Sequence, residues 1–361
     1  MPVFASIALL HIIGWGTLIT FVAPVHPSAD GAALGIGIGL TAYMLGVRHA
    51  FDADHIAAID NTTRKLMQEG WRPVAVGFWF SCGHSSVVFL LTVLLAAGVG
   101  ALSGSLQDDG SDFHRLAGLV GPLVSGGFLL AIGTLNIVVF AELWATFRRM
   151  RSGGVAIHEQ GLNRGGLVTR LVTRITGVVT RPRQMYAVGL LFGLGFDTAT
   201  EIGLLVLATS GAVSGLPWYA ILCLPILFAA GMSLFDTLQG SFMTAAYGWA
   251  LAQPVRRIYY NLIITGLSVA VALIIGTVEI AGLLSERLNW HGVFWDAISA
   301  IDLNAIGLVV AALFVATWLV AVLIWKVGRI EHRWQVTPTS AARSPLTVNV
   351  ATQRPRRVLP D

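Results

Sequence analysis

About eight apolar stretches divide this sequence, each long enough to cross the hydrocarbon core of a bilayer, which takes about 20 helical residues. They run over roughly 4–23, 33–57, 74–100, 116–147, 185–210, 217–238, 258–284 and 304–326. A soluble chain of 361 residues could not bury them all, because a domain of that size must still coat itself in polar groups. Only 12% of the residues are charged and the mean hydropathy is +0.74, whereas soluble domains carry about 25% charge. The chain therefore reads as an all-α, polytopic membrane protein. A disordered chain, a disulfide scaffold and a nucleic-acid binder are excluded, since Cys82 and Cys223 sit singly in different spans. The apolar segment from Gly240 to Ala252 is too short to cross alone and reads as an extension of the sixth span or a re-entrant piece. The start, Met1-Pro2-Val3-Phe4, lacks a basic n-region, so the first span is expected to be retained.

Basic residues orient the spans. The loops after spans two, four and six, with the C-terminal tail, hold all but three of the 23 Lys and Arg residues. Arg115 and Arg287 fall on the other side, and Arg48 lies inside the second span. By the positive-inside rule those loops and both termini are expected to be cytoplasmic. Residues 1–330 then form the membrane domain, with a cytoplasmic loop at 148–183. Residues 331–361 form a basic cytoplasmic tail too polar to pack a core, expected to be disordered.

An ionisable group at the bilayer centre costs about 2.5–3.5 kcal/mol on insertion scales, so a span that keeps several is a functional candidate. Here they cluster. The second span ends Arg48-His49-Ala50-Phe51-Asp52-Ala53-Asp54-His55-Ile56-Ala57-Ala58-Ile59-Asp60-Asn61, and the third holds Cys82-Gly83-His84-Ser85-Ser86. The fifth holds Gly195-Phe196-Asp197-Thr198-Ala199-Thr200-Glu201, and the sixth Gly231-Met232-Ser233-Leu234-Phe235-Asp236-Thr237. In an unbroken helix His49, Asp52 and His55 fall within an arc of roughly 120°. Asp54 would join them only if the helix breaks there. Asp197 and Glu201, four apart, share a face. Imidazole with carboxylate oxygen suits a borderline divalent transition ion; Mg²⁺ and Ca²⁺ prefer oxygen alone and Cu⁺ prefers sulfur.

Other residues have plainer readings. His11 is expected to be a packing residue and Arg48 a structural partner of Asp52. Glu142 and Glu279, alone near span ends, are expected to snorkel. Cys82 and Met232 are read as packing.

Two pairs of segments match at nearly the same offset. Phe51-Asp52 resembles Phe196-Asp197, and Phe80-Ser81-Cys82-Gly83-His84-Ser85 resembles Phe228-Ala229-Ala230-Gly231-Met232-Ser233. An offset of three spans reverses the direction of crossing. The pattern is that of an inverted repeat, which many secondary transporters use to place a substrate between two related halves.

Taken in order, these motifs resemble those of the nickel/cobalt transporter (NiCoT) family of permeases. The most specific is the His49, four residues, Asp54-His55 signature. The resemblance covers most of residues 30–260. It implies an eight-span permease of the bacterial cytoplasmic (inner) membrane that takes up Ni²⁺ or Co²⁺ with high affinity. Membrane potential or a proton gradient would drive it, with no ATPase subunit, no cofactor beyond the transported ion and no enzymatic activity. It implies that His49, Asp54 and His55 are essential to metal recognition, with His84, Asp197, Glu201 and Asp236 as further candidates. Asp52, from the arc above, completes the set. The chain departs from the family at Leu238-Gln239-Gly240, where members often carry a second Asp. Residues 148–183 contain only His158, whereas the related efflux group carries a His-rich loop, so uptake is favoured over efflux. Transport of Zn²⁺, Fe²⁺ or Mn²⁺ uses the same donors and remains the alternative. An intramembrane metalloenzyme would need more membrane histidines, or a His-Glu-x-x-His helix that is absent.

Overall fold

The computed structural model describes residues 2–22, 29–96, 112–151, 179–194, 199–213, 221–251, 254–301 and 303–328. Most of the loop 148–183, the tail 331–361 and Asp197 lie outside the described residues. Among those described, all regular structure is helical, and six helices are long and apolar enough to cross a membrane. Residues 1–319 form one unit; of the remainder only the end of the last helix is described.

In chain order the helices are α1 (Pro2–Thr17), α2 (Ala29–His49), α3 (Ala53–Gln68), α4 (Val76–Ala96), α5 (Asp112–Arg151) and α6 (Met185–Gly193). They continue with α7 (Ala199–Val213), α8 (Cys223–Leu251), α9 (Pro254–Leu288), α10 (Val293–Ser299) and α11 (Leu303–Gly328). Of the six helices long enough to cross, α4 and α8 are the most enclosed, while α1 and α11 expose rows of large apolar side chains such as Ile12, Leu308 and Val309. Such a surface is suited to hydrocarbon and not to water. α8 runs unbroken to Leu251, so the short apolar segment after the sixth span is that helix's extension.

Two of the expected spans are described as two helices each. The second is α2 and α3, separated at Ala50–Asp52. The fifth is described as α6 and α7, with residues 195–198 between them outside the described residues. No Gly or Pro interrupts residues 50–52, and the break is held by local bonding and by packing. Asp52 is extended (φ −63, ψ 139) ahead of α3. The N–H groups of Phe51 and Asp52 donate to the carbonyls of Arg48 (3.0 Å) and His49 (2.9 Å), closing a tight last turn of α2. Gly307 of α11 lies against the Phe51 carbonyl, where a Cβ would fall 1.7 Å from the oxygen.

The break also changes the reading of Arg64. Expected in a cytoplasmic loop, it is buried on α3, whose residues 55–64 are all buried. A polar helix wrapped by protein has the same composition as a loop.

Four glycines set the central crossings, and they do so in matched pairs. A Cβ on Gly46 of α2 would lie 2.1 Å from the Phe228 carbonyl oxygen of α8, and one on Gly231 would lie 2.6 Å from that of Tyr43. A Cβ on Gly189 of α6 would lie 2.0 Å from the Phe80 carbonyl of α4, and one on Gly83 would lie 2.0 Å from that of Tyr186. Small residues allow backbones to approach this closely inside membranes. Gly46→Ala is therefore expected to destabilise the protein by about 1–3 kcal/mol through overpacking, while Gly37→Ala, with nothing within 4 Å, should not. Thermal unfolding of the two detergent-purified variants checks this; equal melting would show that the crossing is not tight.

Candidate metal centre

The break at residues 50–52 and the packing of α2, α3, α4 and α7 bring four chain segments to one buried spot. His49 ends α2, His55 lies in the first turn of α3, His84 lies in the middle of α4, and Glu201 lies in the first turn of α7. All four are buried. Ligand atoms of His49, His55 and His84 all lie within 4.8 Å of one another. The three imidazole centroids are 4.5, 4.6 and 4.9 Å apart. Phe80 and Phe192 pack on His55 and Phe228 packs on His49, giving the cluster an apolar wall.

The polar contacts orient the rings. His49 Nδ1 is approached by Asp52 Oδ2 at 2.7 Å and by Thr200 Oγ1 at 2.9 Å. With the Thr200 hydroxyl bonded at Nδ1 and the Asp52 carboxylate close by, the ring turns its Nε2 towards His84. His49 Nε2 lies 2.8 Å from His84 Nε2, which lies 2.6 Å from Glu201 Oε1. Asp236 of α8 closes the cluster: its Oδ2 lies 3.9 Å from His55 Nδ1 and accepts from Ser81 Oγ at 2.5 Å. His55 Nδ1, His84 Nδ1 and Asp236 Oδ1 are buried with no hydrogen-bond partner. Buried polar atoms usually have partners, and polar atoms left open at a converging point ask for an explanation.

The candidate residues divide accordingly. His49, His55, His84, Glu201 and Asp236 converge. Asp52 stands behind His49, so it does not share an unbroken arc with the two histidines. Asp54 turns to its own backbone, accepting the His55 N–H at 2.8 Å, at a helix N-terminus where the dipole favours an anion. Asp197 lies outside the described residues. Arg48 is exposed, and Asp52 faces His49 in its place.

Thr200 and Ser81 were not singled out by the sequence. Each had a faint signal: Thr200 precedes Glu201, and Ser81 sits one turn before His84 on the same face. His11 is a packing residue, bonded to Ile7 and to Tyr43. Glu142 is exposed. Glu279 does not snorkel, since it is buried between α9 and α5, where it accepts from Ser125.

Three imidazoles with flanking carboxylates form an N/O set for a divalent transition ion, and helix ends at mid-chain breaks are a recurring substrate site in transporters. Comparison with known proteins leads to the same place. The high-affinity nickel-transport protein family (NicO) matches residues 35–324. The chain is 56% identical to the nickel transporter NicT of Mycobacterium tuberculosis, over 93% of this chain and 91% of that one. It is 46% identical to the nickel transporter NixA of Staphylococcus aureus, over 92% and 96%. It is 41% identical to the cobalt transport protein NhlF of Rhodococcus rhodochrous, over 89% and 90%. No solved structure matches the chain.

Proposed function

The chain belongs to the high-affinity nickel-transport family, and from that premise we propose that it carries Ni²⁺ or Co²⁺ inward through a site built on His49, His55 and His84. The observation that carries this reading is the meeting of three imidazoles from α2, α3 and α4 in one buried space. Glu201 supplies a carboxylate to the ion, Asp236 a second at longer reach, and Asp52 and Thr200 fix the His49 ring.

The donor set, three imidazole nitrogens with a carboxylate oxygen beside them, suits Ni²⁺ and Co²⁺.

Six helices long and apolar enough to cross, with the pairs α2–α3 and α6–α7 as the two further crossings, support eight spans. The basic residues support cytoplasmic termini in a bacterial inner membrane. The matched glycine crossings, Tyr43/Gly46 on Phe228/Gly231 and Tyr186/Gly189 on Phe80/Gly83, support an inverted repeat that rocks about the site. An inside-negative potential favours entry of two charges by about 4.6 kcal/mol per 100 mV, enough to drive uptake without ATP.

The test is labelled-nickel accumulation in cells that lack their own transporter. Expression of the chain should raise accumulation, excess unlabelled Co²⁺ should suppress it, and Mg²⁺ should not. No accumulation, or suppression by Mg²⁺, would refute the reading.

A further inference from the structure

α9 and α11 are neighbours in the chain, yet one ends and the other begins at different heights in the bundle. With the side of the basic loops taken as down, α3 descends along α8, since Gly240 faces Ile59 and Gly248 faces Met67. α9 climbs against them: Thr265 accepts from Arg64, and Ser268 donates to Asp60 one turn higher on α3. From Ser268 to Leu288 it rises about 30 Å, which ends it about 22 Å above His55. α11 starts far lower. Gly307 lies against the Phe51 carbonyl beside the histidines, and Trp318 packs on Phe242 of α8 with ring centroids 5.5 Å apart. Leu303, the first residue of α11, is only about 6 Å above Gly307.

Residues 289–301, which include α10, therefore come down by about 15 Å, the thickness of one hydrocarbon leaflet. Their surface suits that place. Val293 is 91% exposed and Phe294 66%, with Trp290 and Ile301 exposed as well. The local bonding holds these side chains out. Ser285 Oγ donates to the Trp290 carbonyl and the Trp290 N–H donates to the Ser285 carbonyl, each at 2.9 Å. Asn289 takes the left-handed conformation (φ 51) within that turn. Trp290 and Phe294 both pack on Trp295, with centroids 4.6 and 5.1 Å away. Asp296 turns its carboxylate to the Gly292 N–H at 3.3 Å, at a helix N-terminus that favours an anion. A segment in water would turn Val293 and Phe294 inward, and apolar side chains left open together mark a contact surface. The flanking exposed residues, Leu284 and Leu288 on α9 and Leu308 and Val309 on α11, belong to the surface suited to hydrocarbon. Tryptophan beside the end of a span is characteristic of the membrane interface.

We propose that residues 289–301 form a wedge embedded in the bilayer leaflet opposite the basic loops, with Val293 and Phe294 against lipid acyl chains and Trp290 at the level of the headgroups. The partner of this surface is lipid, because the segment is tied at both ends to helices that cross the bilayer and its two ends differ in depth by one leaflet. Glu286 and Arg287, exposed in the last turn of α9, mark the water edge above it. The wedge depends on the membrane placement of α9 and α11 and not on which ion is carried.

Nitroxide labels on the full chain, reconstituted into vesicles of phosphatidylcholine and phosphatidylglycerol, test it. Cys82→Ala and Cys223→Ala clear the background, and single labels are placed by Val293→Cys and Phe294→Cys. Leu308→Cys on α11 serves as the lipid reference and Glu286→Cys as the water reference. Each label is read by its collisions with oxygen, which dissolves in hydrocarbon, and with chromium oxalate, whose charge keeps it in water. At 293 and 294 the oxygen-to-chromium ratio should lie within about twofold of that at 308 and roughly tenfold above that at 286. A ratio equal to that at 286 would place the segment in water and overturn the wedge. Exclusion of both reagents would show that protein, such as a second copy of the chain, covers the surface, and would overturn it as well. Where Phe294→Cys does not fold, the label at the more exposed position 293 decides.

Discussion

Replacing His55 by alanine should abolish nickel accumulation while the protein still reaches the membrane. His55 stands at the start of α3, with its ring 4.5 Å from that of His49 and 4.9 Å from that of His84, and Asp236 is its nearest acid. Removing it takes one nitrogen from a three-imidazole set and leaves a small void against Phe80 and Phe192. Disturbing even the outer partners of a metal site costs about 10–100-fold in affinity, and losing a ligand costs more. Nickel uptake at micromolar metal should fall to the vector background, with the membrane level of protein unchanged by immunoblot. The mechanism also predicts that His49→Ala and His84→Ala match it, because the three rings act on one ion. Wild-type accumulation by any of the three would remove that histidine from the site.

Glu201→Gln carries the second large effect. Its carboxylate lies 2.6 Å from His84 Nε2 and 3.9 Å from His49 Nε2, and it is fully buried. A divalent ion held by neutral imidazoles in a low-dielectric interior needs negative charge beside it, since an uncompensated buried charge costs several kcal/mol. Glutamine keeps the volume and removes the charge, so packing is preserved while affinity falls about 100-fold or more. Glu201→Asp, with the charge kept and its reach shortened, should fall between. Calorimetric titration of the purified variants with Ni²⁺ measures both. Equal affinity for Glu201→Gln and wild type would show that Glu201 serves packing and not the ion.

The sequence made the site legible because charge inside an apolar span is costly and so stands out. His49, His55, His84, Glu201 and Asp236, which the structure brings together, all stood out that way on four separate spans. It did not reveal how Asp52 and Asp54 divide their work, because that depends on a break at residues 50–52 that no Gly or Pro announces. The break comes from tertiary packing, with Gly307 from a helix far away in sequence seated on the Phe51 carbonyl. Asp60 stood at the end of the charged run without a role, and Arg64 was placed in a loop, for a related reason. Hydropathy assumes that a helix faces lipid, so the buried polar run 60–64 read as a loop and span two was drawn to end before it. The repeat was seen in Phe51-Asp52 and Phe80–Ser85, yet the Tyr43/Gly46 and Tyr186/Gly189 match emerged only once their carbonyl contacts were known. Two residues in a chain with 40 glycines carry too little signal alone.

The most direct test of one ion held by imidazoles from three helices is X-ray absorption at the nickel edge of the purified, nickel-loaded protein. The expected spectrum shows about three imidazole nitrogens near 2.1 Å with the remaining shell oxygen, and it loses an imidazole in each of His49→Ala, His55→Ala and His84→Ala that still binds metal. A shell of oxygen alone, or one that the three substitutions leave unchanged, would contradict the account.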